Sequence, residues 1–278
     1  MKNFINGCLN ENRNMLSILI THYNRSAALK DCLEAIRTVD FPYEYEIVIS
    51  DDGSTLEHLD NIKKFKYDQL LLSKYNQGLT NNINKGLKAC KGTYILYCQE
   101  DFLLDPQIAL VLDDCMKLIE RNVLDMIRLT ANYKFNSLNK LTAQVSKIPT
   151  FSIDNFNINT FRYSDNPFIT TISFYDKFGY YLEDVSGAYG ETEYAIRILK
   201  LGARIGITNK SLAKSNADSI SVMKTFYPSK KRKVNRILWR LARALRQHIE
   251  WLFYNPKKRR LLTYKNQKSI YANSHNSF

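Results

Sequence analysis

Two acidic pairs in this 278-residue chain directly follow short apolar runs. Asp51-Asp52 comes after residues 45–50 and continues into Gly53-Ser54-Thr55, and Glu100-Asp101 comes after residues 93–98 and Gln99. Asp and Gly favour turns, and Ser and Thr cap helices, so each pair can be a turn and nothing more. Acids at strand ends also hydrogen-bond a ribose or a base imino group. One or two carboxylates suffice for a hard divalent cation that keeps water and phosphate oxygens as its other ligands. Two acidic strand ends in one sheet therefore suit a nucleotide diphosphate held with a metal. A third group, Gly190-Glu191-Thr192-Glu193 with Arg197 further on, places two acids as dipole partners in the first turn of an expected helix.

The elements that must position these groups alternate. Residues 16–20, 45–50, 69–72 and 93–98 read as strands, and helical spacing fills the intervals at Leu29, Cys32, Leu33 and Ile36 and over residues 79–89. Continuous apolar strands alternating with helices imply a parallel sheet covered on both faces, with ligands at the carboxyl ends of the strands. A helix is expected over 107–121, then a polar, irregular stretch to about residue 163, then a helix over 191–201 ending at Gly202. Residues 1–106 are expected to form a donor-binding half and 107–215 an acceptor-binding half of one domain, followed by a tail at 216–278.

Four segments, Ser17-Ile-Leu-Ile-Thr-His-Tyr-Asn-Arg25, Ile47-Val-Ile-Ser-Asp-Asp-Gly-Ser-Thr55, Asn76-Gln-Gly-Leu-Thr-Asn-Asn-Ile-Asn-Lys-Gly86 and Gly92-Thr-Tyr-Ile-Leu-Tyr-Cys-Gln-Glu-Asp-Phe-Leu-Leu-Asp-Pro106, occur in order. Together they resemble glycosyltransferase family 2, closely over residues 15–106 and more loosely over 160–205. The resemblance implies an α/β GT-A fold, a Rossmann-like, mostly parallel sheet flanked by helices. It also implies a nucleotide-diphosphate sugar donor, commonly a UDP-sugar, held with Mn²⁺ or Mg²⁺, and transfer by inverting displacement.

Residue by residue, Thr21, Tyr23 and Arg25 match the segment along the base and ribose, Asp51 the acid that reads the base, and Asp52 the acid near the ribose. Asn76, Gly78 and Lys85 match the segment flanking the helix over the donor. Asn82-Ile83 stands where the common pattern has Ala-Arg, so Lys74 or Lys85 must supply the missing positive charge. Gln99-Glu100-Asp101 aligns with an Asp-x-Asp metal motif. Asp101 fills the metal-binding position, and Gln99 offers only a neutral carbonyl ligand, so weaker metal binding follows. The match places the catalytic base at Glu191, with Glu193 second and Glu183-Asp184 third. His22, in the donor-side segment, is expected to be a satisfied polar contact.

Five cysteines without a CxxC pair or a zinc spacing argue against disulfides and structural zinc and fit a reducing cytosol. No apolar run reaches the roughly 20 residues of a membrane span, and the first residues have no signal-peptide pattern, so the expectation is neither secretion nor spanning. The net charge of +13 is unevenly placed: residues 1–229 carry 26 charges of each sign, whereas residues 230–278 carry 14 basic residues and one acid, Glu250.

In that tail Val234, Ile237, Leu238, Leu241, Leu245, Ile249 and Leu252 fall on one helical face. Arg236, Arg240, Arg243 and Arg246 fall towards the other, with Trp239 and Trp251 near the boundary. A basic amphipathic helix over 230–260 is expected to lie on an anionic membrane surface, or else to bury its apolar stripe on the body or a second subunit. Nucleic acid is not an expected partner, because the body is neutral and carries no recognition motif. The expectation is a peripheral enzyme at the cytoplasmic face of a plasma membrane, adding single sugars to a glycan or lipid-linked glycan acceptor; a donor-binding scaffold without turnover is the alternative.

Overall fold

A computed structural model of the chain describes residues 15–216 and 236–264. The run Lys230–Lys233 and Val234 lie outside the described residues, as does Cys8. Strand β1 (Leu16–His22) is buried along its whole length, and β2 (Tyr45–Asp51) along all but its first residue. This is what a parallel strand covered on both faces requires, and it is why these segments read as unbroken apolar runs. Each fully buried Ile or Leu in them contributes roughly 1.5–3 kcal/mol.

β1 pairs in parallel with β2 and with β4 (Tyr94–Gln99), and β2 with β3 (Gln69–Leu72). Side chains alternate between the two faces. Leu16, Ile18 and Ile20 meet Leu29, Cys32, Leu33 and Ile36 of helix α1 (Ser26–Arg37). That face is completed by α2 (Leu56–Ile62) and by α4 (Ile108–Glu120), which buries Ile108, Leu112, Cys115 and Met116. Leu19, Val48, Ile95 and Tyr97 point the other way, onto α3 (Leu79–Ala89), α5 (Ile172–Phe178) and α6 (Gly187–Lys200).

The second half continues the same sheet. β9 (Phe168–Thr171) lies antiparallel between β4 and β6 (Met126–Arg128), and β10 (Ile205–Thr208), β8 (Val145–Lys147) and β7 (Asn139–Lys140) extend it, in the order β3-β2-β1-β4-β9-β6-β10-β8-β7. A two-stranded ribbon of β5 (Phe102–Leu104) with β11 (Ala213–Ser215) closes the region beyond β4. The stretch 121–163, expected to be irregular, thus supplies three short strands. α6 begins four residues before the expected start, where Ser186 Oγ accepts the amide of Tyr189, so Glu191 lies in its second turn rather than its first.

Helix α7 (Arg236–Phe253) packs on α6 and on the 3-10 turn Asn159–Arg162. Among the described residues no helix is long and apolar enough to cross a membrane.

Candidate functional site

The carboxyl ends of β1, β2 and β4 bring together residues 22–25, 51–54, 76–78 and 99–101. Asp51 is fully engaged within the fold. Its Oδ1 accepts the amides of Gly53 (3.0 Å) and Ser54 (2.9 Å), and its Oδ2 accepts Ser54 Oγ (2.5 Å) and His22 Nδ1 (2.8 Å). His22 Nε2 accepts the amide of Arg25 at 3.1 Å, which puts the ring proton on Nδ1. His22 is the satisfied polar contact expected of it. Burial opposes ionisation of Asp51, but the hydrogen bonds from His22 and Ser54 leave its pKa below the usual value. With four donors already on its oxygens, Asp51 holds the 51–54 loop together.

Asp52 differs. Its oxygens accept one amide each, from Gln77 and Gly78, both at 2.9 Å, so each keeps a lone pair. Burial, with the neighbouring Asp51 charge adding, pushes its pKa up to about 7 against those amides and Lys85. Gly53 makes this possible: its φ is +75°, and a Cβ there would lie 2.4 Å from the carbonyl carbon of Tyr75. Only glycine lets the 51–54 loop touch the 75–78 loop.

Three further side chains are held by the fold. Lys85 Nζ donates to the Asp51 carbonyl (2.5 Å) and Ser73 Oγ (2.6 Å), so it ties β2 to the following loop. Asn76 Oδ1 accepts the Gly78 amide at 3.0 Å, closing a local turn. Thr21 is buried, with its hydroxyl 3.2 Å from Tyr97 Oη. These three hold the donor-side walls in place through the fold.

At the end of β4, Arg25 bridges both acids, Nε to Glu100 Oε1 at 2.9 Å and Nη1 to Asp101 Oδ2 at 3.0 Å. The Tyr23 amide also points at Glu100 Oε1, at 3.4 Å. Burial pushes the pKa of Glu100 up, with the Arg25 charge opposing. Asp101 Oδ1 is buried with no hydrogen-bond partner in the protein. Gln99 donates through Nε2 to the Asp165 carbonyl at 3.3 Å, which leaves Oε1 as its ligand atom. Among the described residues no cluster of three His, Cys, Asp or Glu forms a metal cage. A carboxylate oxygen without a protein partner and the amide carbonyl of Gln99, both at the end of β4, fit Mg²⁺ or Mn²⁺ that takes its remaining ligands from a diphosphate and water.

Asp165 links this corner to the acceptor side, since its own amide reaches Glu191 Oε1 at 3.4 Å. Burial drives the pKa of Glu191 well up, Asp165 reinforces the shift, and the Arg128 charge works against it. Arg128, buried at the end of β6, donates to the carbonyls of Phe161 (2.8 Å) and Arg162 (3.3 Å) and to Ser164 Oγ (2.6 Å). It fixes the segment that carries Asp165. Glu191 lines a small cavity of about 30 Å³, walled by Tyr163, Thr160, Ile196 and Gln247. Asp165, Arg128 and Gln247 were not singled out from sequence; the one available signal was the acid in Ser164-Asp-Asn-Pro167, a turn leading into an apolar run.

Glu193, the second candidate base, points elsewhere. It is fully buried, pairs with Arg197 at 3.0 Å and accepts the Tyr254 hydroxyl. Its carboxylate is sealed between a guanidinium and a phenol. Glu183, half exposed, accepts Asn84 Nδ2 at 2.8 Å, and the Asp184 amide donates to Asn81 Oδ1 at 3.0 Å, which ties that pair to α3.

The profile of Glycosyl transferase family 2 matches residues 17–185, well over half of the chain. No curated protein matches. The fold is similar to that of S. aureus TarS 1-349 in complex with UDP-GlcNAc, with a TM-score of 0.56 and 16% identity over 88% of this chain and 77% of that one. Against a longer S. aureus TarS structure the TM-score is 0.58 at 18% identity, covering 85% of this chain and only 44% of the other. The mannosyltransferase PcManGT from Pyrobaculum calidifontis, in complex with GDP-Man and Mn²⁺, has a TM-score of 0.53 at 14% identity over 86% of this chain and 64% of its own. At these identities the likeness is one of fold.

Proposed function

The chain belongs to glycosyl transferase family 2 and has the GT-A fold, and on that premise we propose that it moves one sugar from a nucleotide diphosphate donor to an acceptor hydroxyl, with inversion. The donor is a UDP-sugar, hexosyl or N-acetylhexosaminyl, and the acceptor a lipid-linked glycan of the kind built into capsule, O-antigen or lipopolysaccharide at the inner face of a bacterial plasma membrane. UDP-GlcNAc and UDP in the TarS structures support the choice of nucleotide, and GDP-Man in PcManGT marks the other candidate.

The observation that carries the reading is the continuous chain Gln99, Asp165, Glu191, which joins the acidic strand end to a carboxyl group of raised pKa beside a pocket. Groups with such shifts concentrate where proton transfer is needed. In the proposed step the acceptor oxygen bonds to the anomeric carbon, its proton passes to the Glu191 carboxylate, and the bond to the diphosphate breaks with its electron pair leaving on the diphosphate oxygen. Asp52, with a lone pair open on each oxygen, takes the base-reading role in place of Asp51. Arg25 sets the positive charge at the diphosphate end, and Asp101 with Gln99 Oε1 would hold a divalent cation. That cation would offset the charge growing on the leaving group.

Glu191→Gln is expected to lower kcat about 10²–10⁴-fold while UDP affinity stays within a factor of two. Steady-state transfer assays and calorimetric titration read the two effects, and full activity in that variant would remove Glu191 from the mechanism. Stabilisation by neither UDP nor GDP, with or without Mn²⁺, in a thermal-shift series would remove the donor assignment. Binding without turnover would favour the scaffold reading, in which Arg25 occupies the acids permanently.

A further inference from the structure

Helix α7 has its apolar face turned away from the protein. Toward the body it presents Ala244, Gln247, His248 and Glu250, all buried. Gln247 Oε1 accepts the Thr160 hydroxyl at 2.8 Å, and His248 stacks on Phe156 with ring centres 4.6 Å apart. Glu250 accepts the amides of Leu262 (2.7 Å) and Thr263. Arg243 and Arg246 also turn inward, over the rings of Phe161 and Tyr264. Of the arrangements expected from sequence, stripe on lipid, on the body or on a second subunit, packing on the body does not occur among the described residues.

The outward side is the stripe Leu238, Leu241, Leu245, Ile249 and Leu252, spaced by three or four residues, with Trp239 and Phe253 beside it. These seven are between 39% and 67% exposed, and Leu262 adds a further exposed leucine next to them. Contiguous exposed apolar surface of this kind marks an interaction site. Within residues 236–264 every exposed charge is basic. Arg240, Lys257, Lys258 and Arg260 are exposed, while Glu250, the one acid in residues 230–278, is buried and used internally. A second copy laid face to face would set these cations against their own kind. An anionic bilayer offers acyl chains for the stripe and phosphates for the cations together.

We propose that the outward face of α7 docks flat on an anionic lipid surface, with Leu241, Leu245, Ile249 and Leu252 at its centre and Lys257, Lys258 and Arg260 at the phosphate level. An 18-residue helix lies about 27 Å along such a surface. The inner side of the same helix supplies Gln247 to the wall of the Glu191 pocket, so docking holds that pocket about one helix diameter, ~10 Å, from lipid. The proposal deepens the lipid-linked reading of the acceptor and rests on it for its setting, while its test reads binding alone.

The full chain is sedimented with vesicles of phosphatidylcholine, with or without 30% phosphatidylglycerol, at about 0.1 M and 0.5 M salt, a range over which screening shortens sharply. Wild type is expected to pellet with the anionic vesicles at the lower salt, with binding at least tenfold weaker on neutral vesicles or at the higher salt. L241E/L245E/L252E is expected to lose at least tenfold in vesicle binding while keeping its Tm and UDP affinity. Wild type that stays in the supernatant with anionic vesicles, or a triple variant that pellets as wild type does, overturns the proposal. So does a wild type that elutes as a dimer, fails to pellet and becomes monomeric with the three substitutions, since the stripe then covers a second copy. A chain that docks but neither binds nucleotide nor transfers sugar would sink the transferase reading and leave the docking surface standing.

Discussion

At Asp51 and Asp52, two adjacent acids of one turn separate by their hydrogen bonds. Asp51 spends its lone pairs on the loop, and Asp52 keeps two. With its pKa near 7, Asp52 in the native protein holds a proton that the unfolded chain releases near pH 4. This group therefore makes the fold less stable as pH rises from about 4 to 7, and no further above that. A base imino group donates its hydrogen and so needs the carboxylate form. UDP affinity is accordingly expected to rise as pH passes from 6 to 8, and Asp52→Asn to flatten that rise and weaken binding about 10–100-fold at pH 8, the worth of a charged hydrogen bond. Calorimetric titration at several pH values checks both. A pH dependence that survives the substitution would move base reading to another residue.

The loop between β2 and α2 owes its shape to Gly53. Gly53→Ala must place a methyl group against the Tyr75 backbone at positive φ, so a loss of about 1–3 kcal/mol is expected by urea denaturation. Weaker UDP binding accompanies it, because the Gln77 and Gly78 amides reach Asp52 only when the two loops touch. β1, β2 and β4 were legible in the sequence because strands buried on both faces read as unbroken apolar runs. β6, β7 and β8 were not, since two or three residues carry no period. The start of α6 was hidden by Gly187 and Gly190, poor helix formers that tertiary packing holds in place. Which of two neighbouring acids keeps free lone pairs was beyond sequence too, because it depends on donors 25 to 29 residues away. Glu191 and Glu193 are separated in the same way, by which side of α6 meets Tyr254.

Over the whole molecule, residues 236–264 pack on α6 and the segment before it. Tyr254 and Leu261 join Val185, Tyr189 and Ile196 in a small core, Arg259 donates to the Tyr180 carbonyl at 2.6 Å, and Lys200 reaches the Leu252 carbonyl at 2.8 Å. A chain ending at residue 235 loses these contacts and leaves Glu193 with Arg197 alone. Its Tm is expected to fall by at least 5 °C, read by circular dichroism, with the full chain melting in one transition. An unchanged Tm would mean that the tail adds nothing to the body's stability.

Glu193 and Tyr254 also set an order in time. They are separated by 61 residues, and at ~5–20 residues per second a ribosome needs about 3–12 s to deliver the phenol after the carboxylate. Through that interval the nascent α6 keeps Tyr189 and Ile196 uncovered and one buried acceptor unfilled. The catalytic half thus finishes maturing only when its closing strap emerges, and the seconds before that are when a chaperone has most to hold.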